Sequence, residues 1–474
     1  MTDPAPSDTI CAIATPLGIG AIGIVRLSGP HAIGALGRCF SFNPLSSNLD
    51  STYHRLVQAG SHTVHHGWFF DPTTREPIDE VLVTVMRAPH TYTREETVEI
   101  SGHGGPRVIA RILEACLSAG TRLAEPGEFT KRAFMNGRLD LTQAEAVMAL
   151  IHAESEAAHR LALRQLSGDI ASSVRAVRNS LVQLLAECEA GLDFVEQGIG
   201  ALPKDELRRR LDQILEDVTT LIASAQTGAQ LREGISTVIA GRPNVGKSSL
   251  FNMLLGHDRA IVTPFPGTTR DRLEEPLTIN GFPLRLVDIA GLRNSVDPIE
   301  QEGIHRAAQA IDEAELLLLV FDGSERLQPD DWTLLARVKP DRTILIFNKV
   351  DLGAPQDEPA VTAQAPGWPT IRLSATQGIG IDRLKNEIGE LLTKRIGSID
   401  GRAIISVARQ RQALESTAES LLRAASASAA ELSHEFIAAD LNEAAKQLGS
   451  IIGVEGSFTE ELINNIFKEF CIGK

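Results

Sequence analysis

Apolar residues recur along this chain with two different periods, and the changes of period divide it. Up to about residue 120 they come in short β-branched runs, Ile10–Ala14, Ala21–Leu27, Val81–Met86 and Val98–Ile100, separated by Gly and Pro. Each such run predicts a strand. A helix is predicted to follow, with Val108, Ile109, Ile112, Leu113 and Cys116 on one face and Gly120 as its stop. From about 121 to 232 the period becomes helical. Leu163, Leu166, Ile170, Val174, Val177, Leu181, Leu184 and Cys188 recur at steps of three and four, as do Leu207, Leu211, Ile214, Val218 and Leu221. These stripes read as the core of a bundle rather than as a cofactor box. Residues 403 to about 452 resume a helical stripe through Leu414, Leu421, Leu422, Leu432, Phe436 and Leu448, and a short final helix is predicted near Thr459–Phe470.

Between the helical stretches, from about 233 to 396, five apolar strand runs alternate with helical ones, the pattern of a doubly wound α/β domain. The runs around Leu277 and Leu284–Val287 are joined by Asn280-Gly281, a strong two-residue hairpin signal. Helices on both sides of a self-contained α/β unit predict its insertion into a helical domain. The expected organisation is multidomain α/β: an N-terminal α+β domain over 1–120, the first part of a helical domain over 121–232, the inserted domain over 233–396, and the second helical part over 397–474.

The inserted domain carries the chemistry. Its first strand run, Ile235–Ala240, leads into Gly241-Arg242-Pro243-Asn244-Val245-Gly246-Lys247-Ser248-Ser249 and then a helical pattern, the G-x-x-x-x-G-K-S of a P-loop. The glycines let backbone N–H groups approach phosphate oxygens, and the helix N-terminus adds a favourable field. Lys247 can reach the β- and γ-phosphates, and the Ser248 hydroxyl suits Mg²⁺. About a hundred residues on, the run Thr343–Phe347 ends in Asn348-Lys349-Val350-Asp351, and the run Ile371–Leu373 ends in Ser374-Ala375-Thr376. A carboxylate at Asp351 accepts from the N1–H and 2-amino groups of guanine, and adenine offers neither. Asn348 and Lys349 would brace that loop, and the Ala375 N–H would meet the guanine O6. The site reads as guanine-specific.

Between these lie the two switches of a Ras-like GTPase. In Gly267-Thr268-Thr269-Arg270-Asp271 the Thr269 hydroxyl would complete the Mg²⁺ shell when a γ-phosphate is present. In Asp288-Ile289-Ala290-Gly291, Asp288 serves the outer metal shell and Gly291 offers an N–H to the γ-phosphate. A Ras-type enzyme places a water-orienting glutamine directly after this motif; here that position is Leu292. An arginine finger is worth about 10³–10⁵-fold, so the water-orienting group and the extra positive charge must come from elsewhere. Asp297-Pro298-Ile299-Glu300-Gln301-Glu302 offers carboxylates, although a solvated loop is the default reading of such a stretch.

Composition narrows the class. At 474 residues the chain suits about three domains. Aromatics are only 4%, so the cores must be aliphatic and largely helical. A formal net charge of −15 argues against broad non-specific nucleic-acid binding, and an RNA partner would need a local basic face or a helper protein. Arg208-Arg209-Arg210 lies amid acids and reads as a solvated face. The five cysteines (Cys11, Cys39, Cys116, Cys188 and Cys471) have no C-x-x-C or zinc spacing and read as reduced cytosolic thiols. Without a long apolar run or a signal-like start, the protein is expected to be cytoplasmic, with no membrane. Two features stay open on residues alone. Ser101-Gly102-His103-Gly104-Gly105 suits an anion nest, catalysis by His103 or, by default, a bare glycine turn. Cys471, in the closing Phe470-Cys471-Ile472-Gly473-Lys474, is either idle or placed deliberately.

The combination resembles the tRNA-modification GTPase family MnmE (TrmE). The P-loop, G-T-T-R-D, D-I-A-G-L-R and N-K-V-D are shared with many GTPases. The G-H-G-G, P-G-E-F-T-K-R-A-F and D-L-T-Q-A-E-A segments and the closing F-C-I-G-K make the likeness specific, in the family's order over nearly the whole chain. The resemblance implies that the N-terminal domain binds tetrahydrofolate and mediates homodimerisation, with Arg26, Glu99 and Arg138 at folate-contacting positions and Lys474 in a tail reaching the same cavity. It implies a K⁺ site made by Asn244 together with Thr263, Phe265 and Thr268, which answers the missing charge, and it places a water-orienting glutamate at Glu300. It further implies a flavoprotein partner, MnmG (GidA), using FAD and NADH in a heterotetramer. The pair would add an aminomethyl or carboxymethylaminomethyl group to the wobble uridine of certain tRNAs. The one-carbon unit would come from a 5-formyl- or methylene-tetrahydrofolate, with Cys471 a candidate participant.

Two rivals of other classes are weighed against this. A regulatory GTPase switch in ribosome assembly calls for a dedicated RNA-binding appendage, which this acidic chain does not display. A folate-binding scaffold with a vestigial GTPase domain is opposed by the complete set of guanine, phosphate and Mg²⁺ residues.

Overall fold

The computed structural model describes residues 8–43, 49–193, 202–258, 274–287, 308–397 and 403–473. Compaction divides the chain into one unit of Met1–Met148 with Gly449–Lys474 and a second of Ala149–Leu448. The limits expected at 120, 232 and 397 follow changes of period instead.

In the first unit, seven described strands form one sheet: β1 (Ile10–Ile13), β2 (Ile22–Ser28), β3 (Phe40–Ser41), β4 (Thr63–Phe70), β5 (Pro77–Met86), β6 (Thr97–His103) and β7 (Arg122–Leu123). Their order is β3-β4-β5-β6-β2-β1-β7. All neighbours are antiparallel except β1 and β7, so the sheet continues past residue 120. The strands alternate as a half-covered sheet requires. Val25, Leu27, Val83, Val98 and Ile100 are buried together with Leu36, Ile112 and Cys116 from the helices Ala32–Cys39 and Pro106–Ser118. Arg26 and Glu99, out of step with those residues, share the opposite face. Near β1, Ile10 and Ala12 pack with Phe129 of the helix Glu128–Met135.

The final helix, Glu460–Lys468, is capped by Thr459, whose hydroxyl accepts from the Leu462 N–H. It belongs to the first unit, where Ile463, Phe467 and Phe470 pack on Phe134, Leu141 and Ala144. The residues after it are tied down one by one. The Gly127 N–H donates to the Cys471 carbonyl at 3.3 Å. Gly473 has φ +95°, and a Cβ there would lie 2.2 Å from the Ile13 carbonyl oxygen, so only glycine fits against β1.

The second unit joins a helical bundle to a second sheet. The helices Asp169–Asp193, Lys204–Glu233, Ala408–Ala429 and His434–Ile452 contribute the buried residues Leu181, Leu211, Val218, Leu414, Leu421, Leu441 and Leu448. Two of the expected stripes need correction. Leu163 is exposed, and Ser167 and Gly168 end the helix Glu156–Leu166, so the run from Leu163 to Cys188 spans two helices rather than one. Leu422, Leu432 and Phe436 are exposed too, while Gln410, Thr417 and Ala424 fill the buried face of their helix.

The helix Lys204–Glu233 runs straight into β8 (Ile235–Ala240). The sheet adds β9 (Glu274–Ile279), β10 (Phe282–Val287), β11 (Leu316–Asp322), β12 (Thr343–Asn348) and β13 (Thr370–Arg372), in the order β13-β12-β11-β8-β10-β9. Only β9 is antiparallel, paired to β10 through Asn280 (φ +48°) and Gly281 (φ +84°), the left-handed pair that a type I′ turn demands. The chain re-enters the bundle where it left. The Gln165 amide donates to the Ile404 carbonyl at 2.9 Å, and the Ile405 N–H donates to the Ser224 hydroxyl at 3.0 Å. An α/β domain inserted in a helical one is therefore the fold. No helix among the described residues is long and apolar enough to cross a membrane.

One buried ionic network holds the edge of the first sheet. Arg132, whose side chain is 3% exposed, reaches Glu128 at 2.9 Å, Asp8 at 2.8 Å and Glu95 at 3.3 Å. Burial by itself raises the Glu128 carboxyl, but hydrogen bonds from Arg122, the Glu125 amide and Arg132 outweigh it and hold the group below its ordinary range. Arg132→Ala strips Glu95 of its ion-pair partner while Glu128 and Asp8 keep Arg122, and it is expected to cost about 3 kcal/mol, the lower end for breaking a buried pair, read as a lower urea midpoint. The Glu128 contribution is present above the ordinary carboxylate pKa and lost as pH falls through the depressed native value. An unchanged midpoint at neutral pH would show that the network does not stabilise the fold.

Candidate functional site

The glycine-rich loop after β8 is shaped by close approaches that leave no room for side chains. Gly241 has φ +146°, and a Cβ there would sit 2.3 Å from the Val320 carbonyl oxygen on β11. Gly246 has φ +99°, and its Cβ would meet the Asn348 side-chain nitrogen at 2.1 Å. Asn244 also adopts a left-handed conformation, at φ +65°. Val245 is buried and anchors the loop from below, and the helix Lys247–Asp258 starts at once, with Leu250 N–H bonded to Gly246 O. The Lys247 ammonium donates to the Gly241 and Arg242 carbonyls at 2.9 and 2.6 Å, folded back over its own loop. Asn244, Ser248 and Ser249 are exposed, and the side chains of Asn244 and Ser248 have no hydrogen-bond partner among the described residues. An amide oxygen and a hydroxyl are hard donors, so this loop fits phosphate with hard cations beside it.

Asn348 joins three loops. Its Nδ2 donates to the Val245 carbonyl at 2.8 Å, and its Oδ1 accepts from the Ala375 N–H at 3.0 Å. The residue is buried, so both ends of the amide are satisfied by backbone from the two loops it spans. Lys349 turns the chain at φ +63° and leaves Asp351 exposed after β12. Ser374 is buried and hydrogen-bonded to Thr376 at 3.3 Å, fixing the neighbouring Ala375. Residues 241–249, 348–351 and 374–376, far apart in the chain, thus form one end of the sheet, at the carboxyl ends of parallel strands, where such folds bind ligands. Thr263, Phe265, Thr268, Thr269, Asp288, Ile289, Ala290, Gly291 and Glu300 lie outside the described residues.

Two participants escaped the sequence reading. Asp322 closes the wholly buried β11 and pairs with Lys349 at 2.5 Å. Burial opposes its ionisation, but hydrogen bonds from Lys349 and Ser324 prevail and lower its pKa. A carboxylate ending an all-apolar strand was the available signal. Arg242, within the P-loop, donates to Asp331 at 2.6 Å and Glu325 at 2.8 Å, turning its charge away from the loop's phosphate side.

A second cluster lies in the first unit. Arg26 and Glu99 are register partners on β2 and β6, 2.8 Å apart. Arg26 also donates to the Gly473 carbonyl at 3.4 Å, so the tail bearing the half-exposed Cys471 comes alongside that pair. Arg138 enters through Tyr92, whose ring has Arg26 at 6.0 Å and Arg138 at 5.1 Å from its centroid. Tyr92, one of only two tyrosines in the chain, was not anticipated. Lys474 lies outside the described residues. A carboxylate beside an aromatic ring and two guanidiniums fits a flat heterocycle with an N–H edge and an anionic end. His103 is held by Asp79, 2.7 Å from its Nδ1, which raises its pKa.

Comparison with known proteins covers both units. Residues 9–138 match the family described as GTP-binding protein TrmE N-terminus, and residues 141–471 match the MnmE helical domain. Curated relatives named tRNA modification GTPase MnmE are similar over almost the full chain. That of Levilactobacillus brevis is 42% identical over 98% of each chain, and those of Carboxydothermus hydrogenoformans and Natranaerobius thermophilus are 42% identical over 98% of this chain and 99% of theirs.

Because Asn348 satisfies buried backbone groups of two loops, Asn348→Ala leaves both unpaired at about 1–3 kcal/mol each. Affinity for fluorescent GDP is expected to fall at least about tenfold. Wild-type affinity in a folded variant would mean that this bridge does not shape the site.

Proposed function

The chain belongs to the tRNA modification GTPase MnmE family, and from that premise we propose that it is a potassium-stimulated GTPase that, with a flavin-dependent partner, modifies the wobble uridine of certain tRNAs. It hydrolyses GTP to GDP and phosphate. The observation that carries the reading is the preformed loop Gly241–Ser249, held open for phosphate by Gly246 packed under Asn348. The Lys247 ammonium would exchange its two loop carbonyls for β- and γ-phosphate oxygens, and Asp351 would select guanine. Ser248 with Thr269 would hold Mg²⁺, with Asp288 behind it, and Ile289, Ala290 and Gly291 would line the γ-phosphate.

Asn244, exposed and without a side-chain hydrogen-bond partner among the described residues, supports a K⁺ site shared with Thr263, Phe265 and Thr268. When bound, the monovalent cation supplies between the phosphates the positive charge that an arginine finger brings elsewhere. Glu300 would orient the attacking water in place of the absent glutamine. The catalytic loops would complete themselves as two GTPase domains of a homodimer meet, and the resulting rearrangement is a conformational contribution to modification.

The first unit is assigned the one-carbon chemistry. Glu99 would hold the N–H edge of the tetrahydrofolate pterin, with Arg26, Arg138 and Lys474 around the ligand, and the bound folate supplies the one-carbon unit. The tail contacts at Gly127, Ile13 and Arg26 support a placed rather than idle Cys471. FAD and NADH belong to the MnmG partner. The domain limits proposed along the sequence are 1–120, 121–232, 233–396 and 397–474, with β7 and the final helix packing back onto the first unit.

Replacing K⁺ by Na⁺ is expected to slow GTP hydrolysis by at least about tenfold, with Asn244→Ala removing the difference between the two salts. Equal rates for the unaltered protein in both salts would dispose of the potassium site. Cys471→Ser is expected to keep wild-type GTP turnover while wobble-uridine modification, measured by nucleoside mass spectrometry in a complemented deletion strain, is lost. Normal modification would make the thiol incidental.

A further inference from the structure

The first unit contains a concentration of positive charge beyond the Arg26–Glu99 pair. A cavity of about 440 Å³, within the size range of ligand pockets, is lined by His62, His90, Tyr92, Arg94 and Arg138 among others, with no carboxylate in its wall. Tyr92 belongs both to this wall and to the surroundings of Arg26, the partner of Glu99, so its ring adjoins both the cavity and that pair.

The two arginines of the cavity wall carry charge that no carboxylate offsets. Arg26, Arg87, Arg122 and Arg132 of this unit all face carboxylates. Glu95 and Glu96, which follow Arg94 directly, are taken by Arg132 and Arg87. Arg94 itself donates only to the Asn136 carbonyl at 2.8 Å, and neither it nor Arg138 has an ion-pair partner among the described residues. The backbone is strained at the same place. His62 and Arg94 both hold φ +60°, a left-handed conformation that costs a non-glycine residue about 1 kcal/mol or more and persists at ligand clamps.

We propose that this cavity binds the carboxylates of an oligo-γ-glutamyl tail, so that the protein selects polyglutamylated folate over the monoglutamate. The inference rests on the folate reading of Arg26, Glu99 and Arg138 and adds Arg94, His62 and His90 to the site. A folate has a flat heterocycle at one end and glutamyl carboxylates at the other. Glu99 suits the first end, and two unpaired guanidiniums suit the second, because the planar fork of arginine matches a carboxylate bidentately. The groups are largely exposed, so each contact adds modestly and weakens with salt.

Calorimetric titration of the full-length protein with 5-formyl-tetrahydrofolate as monoglutamate and as triglutamate tests this. The triglutamate is expected to bind about tenfold tighter at low salt, with the gap closing near about 0.5 M salt. Arg94→Gln should remove most of the preference and Arg94→Lys should restore part of it. Equal affinities for the two forms in the unaltered protein, or a preference that survives both Arg94→Gln and Arg138→Gln, overturn the tail site and leave the folate reading standing. Binding of neither form overturns both.

Discussion

The amide of Asn348 is the interaction on which the nucleotide site depends. It is buried, so it must be satisfied inside the protein, and the Val245 carbonyl and the Ala375 N–H satisfy it from fixed places. That requirement fixes the phosphate loop relative to the base loop. It also explains why Gly246 has no side chain: the Asn348 amide occupies the volume that a Cβ would take. The Asp322–Lys349 pair braces the same loop from β11, and the Arg242–Asp331 pair anchors the other end of the phosphate loop to the helix Pro329–Arg337. The groups proposed to meet the ligand, Asn244, Ser248 and Asp351, are left exposed while the residues behind them are tied.

The first unit follows the same logic with charges in place of an amide. One face of its sheet is closed by aliphatic packing, which leaves the alternate positions of β2 and β6 free to carry Arg26 and Glu99. The C-terminal segment reaches this pair because Phe467 and Phe470 seat the last helix and Gly473 lets the chain run against β1. Gly473, two residues beyond Cys471, is therefore held against Arg26, more than 400 residues away in the chain. The Arg132 network secures the adjoining edge, where a hydrophobic alternative would need no charge but would also give no directional bonds.

What the sequence determined by itself is what depends on neighbouring residues. The P-loop, the Asn348–Asp351 segment and the Asn280-Gly281 turn were legible because each is a short backbone conformation prescribed by its own residues, and the runs of β8, β11 and β12 were legible because both faces of those strands are buried. The helical stripes were legible in period but not in face. Leu163, Leu422, Leu432 and Phe436 keep the spacing yet are exposed, because apolar spacing does not reveal where a helix ends or which neighbours cover it. Tertiary structure alone decided that β7 and the last helix join the first sheet's unit, that Asp322 and Arg242 brace the nucleotide loops, and that Tyr92 lies between Arg26 and Arg138. Those pairings are long-range. Their free energy comes from burial and charge compensation between distant segments, and no local pattern encodes which distant partner a side chain will meet.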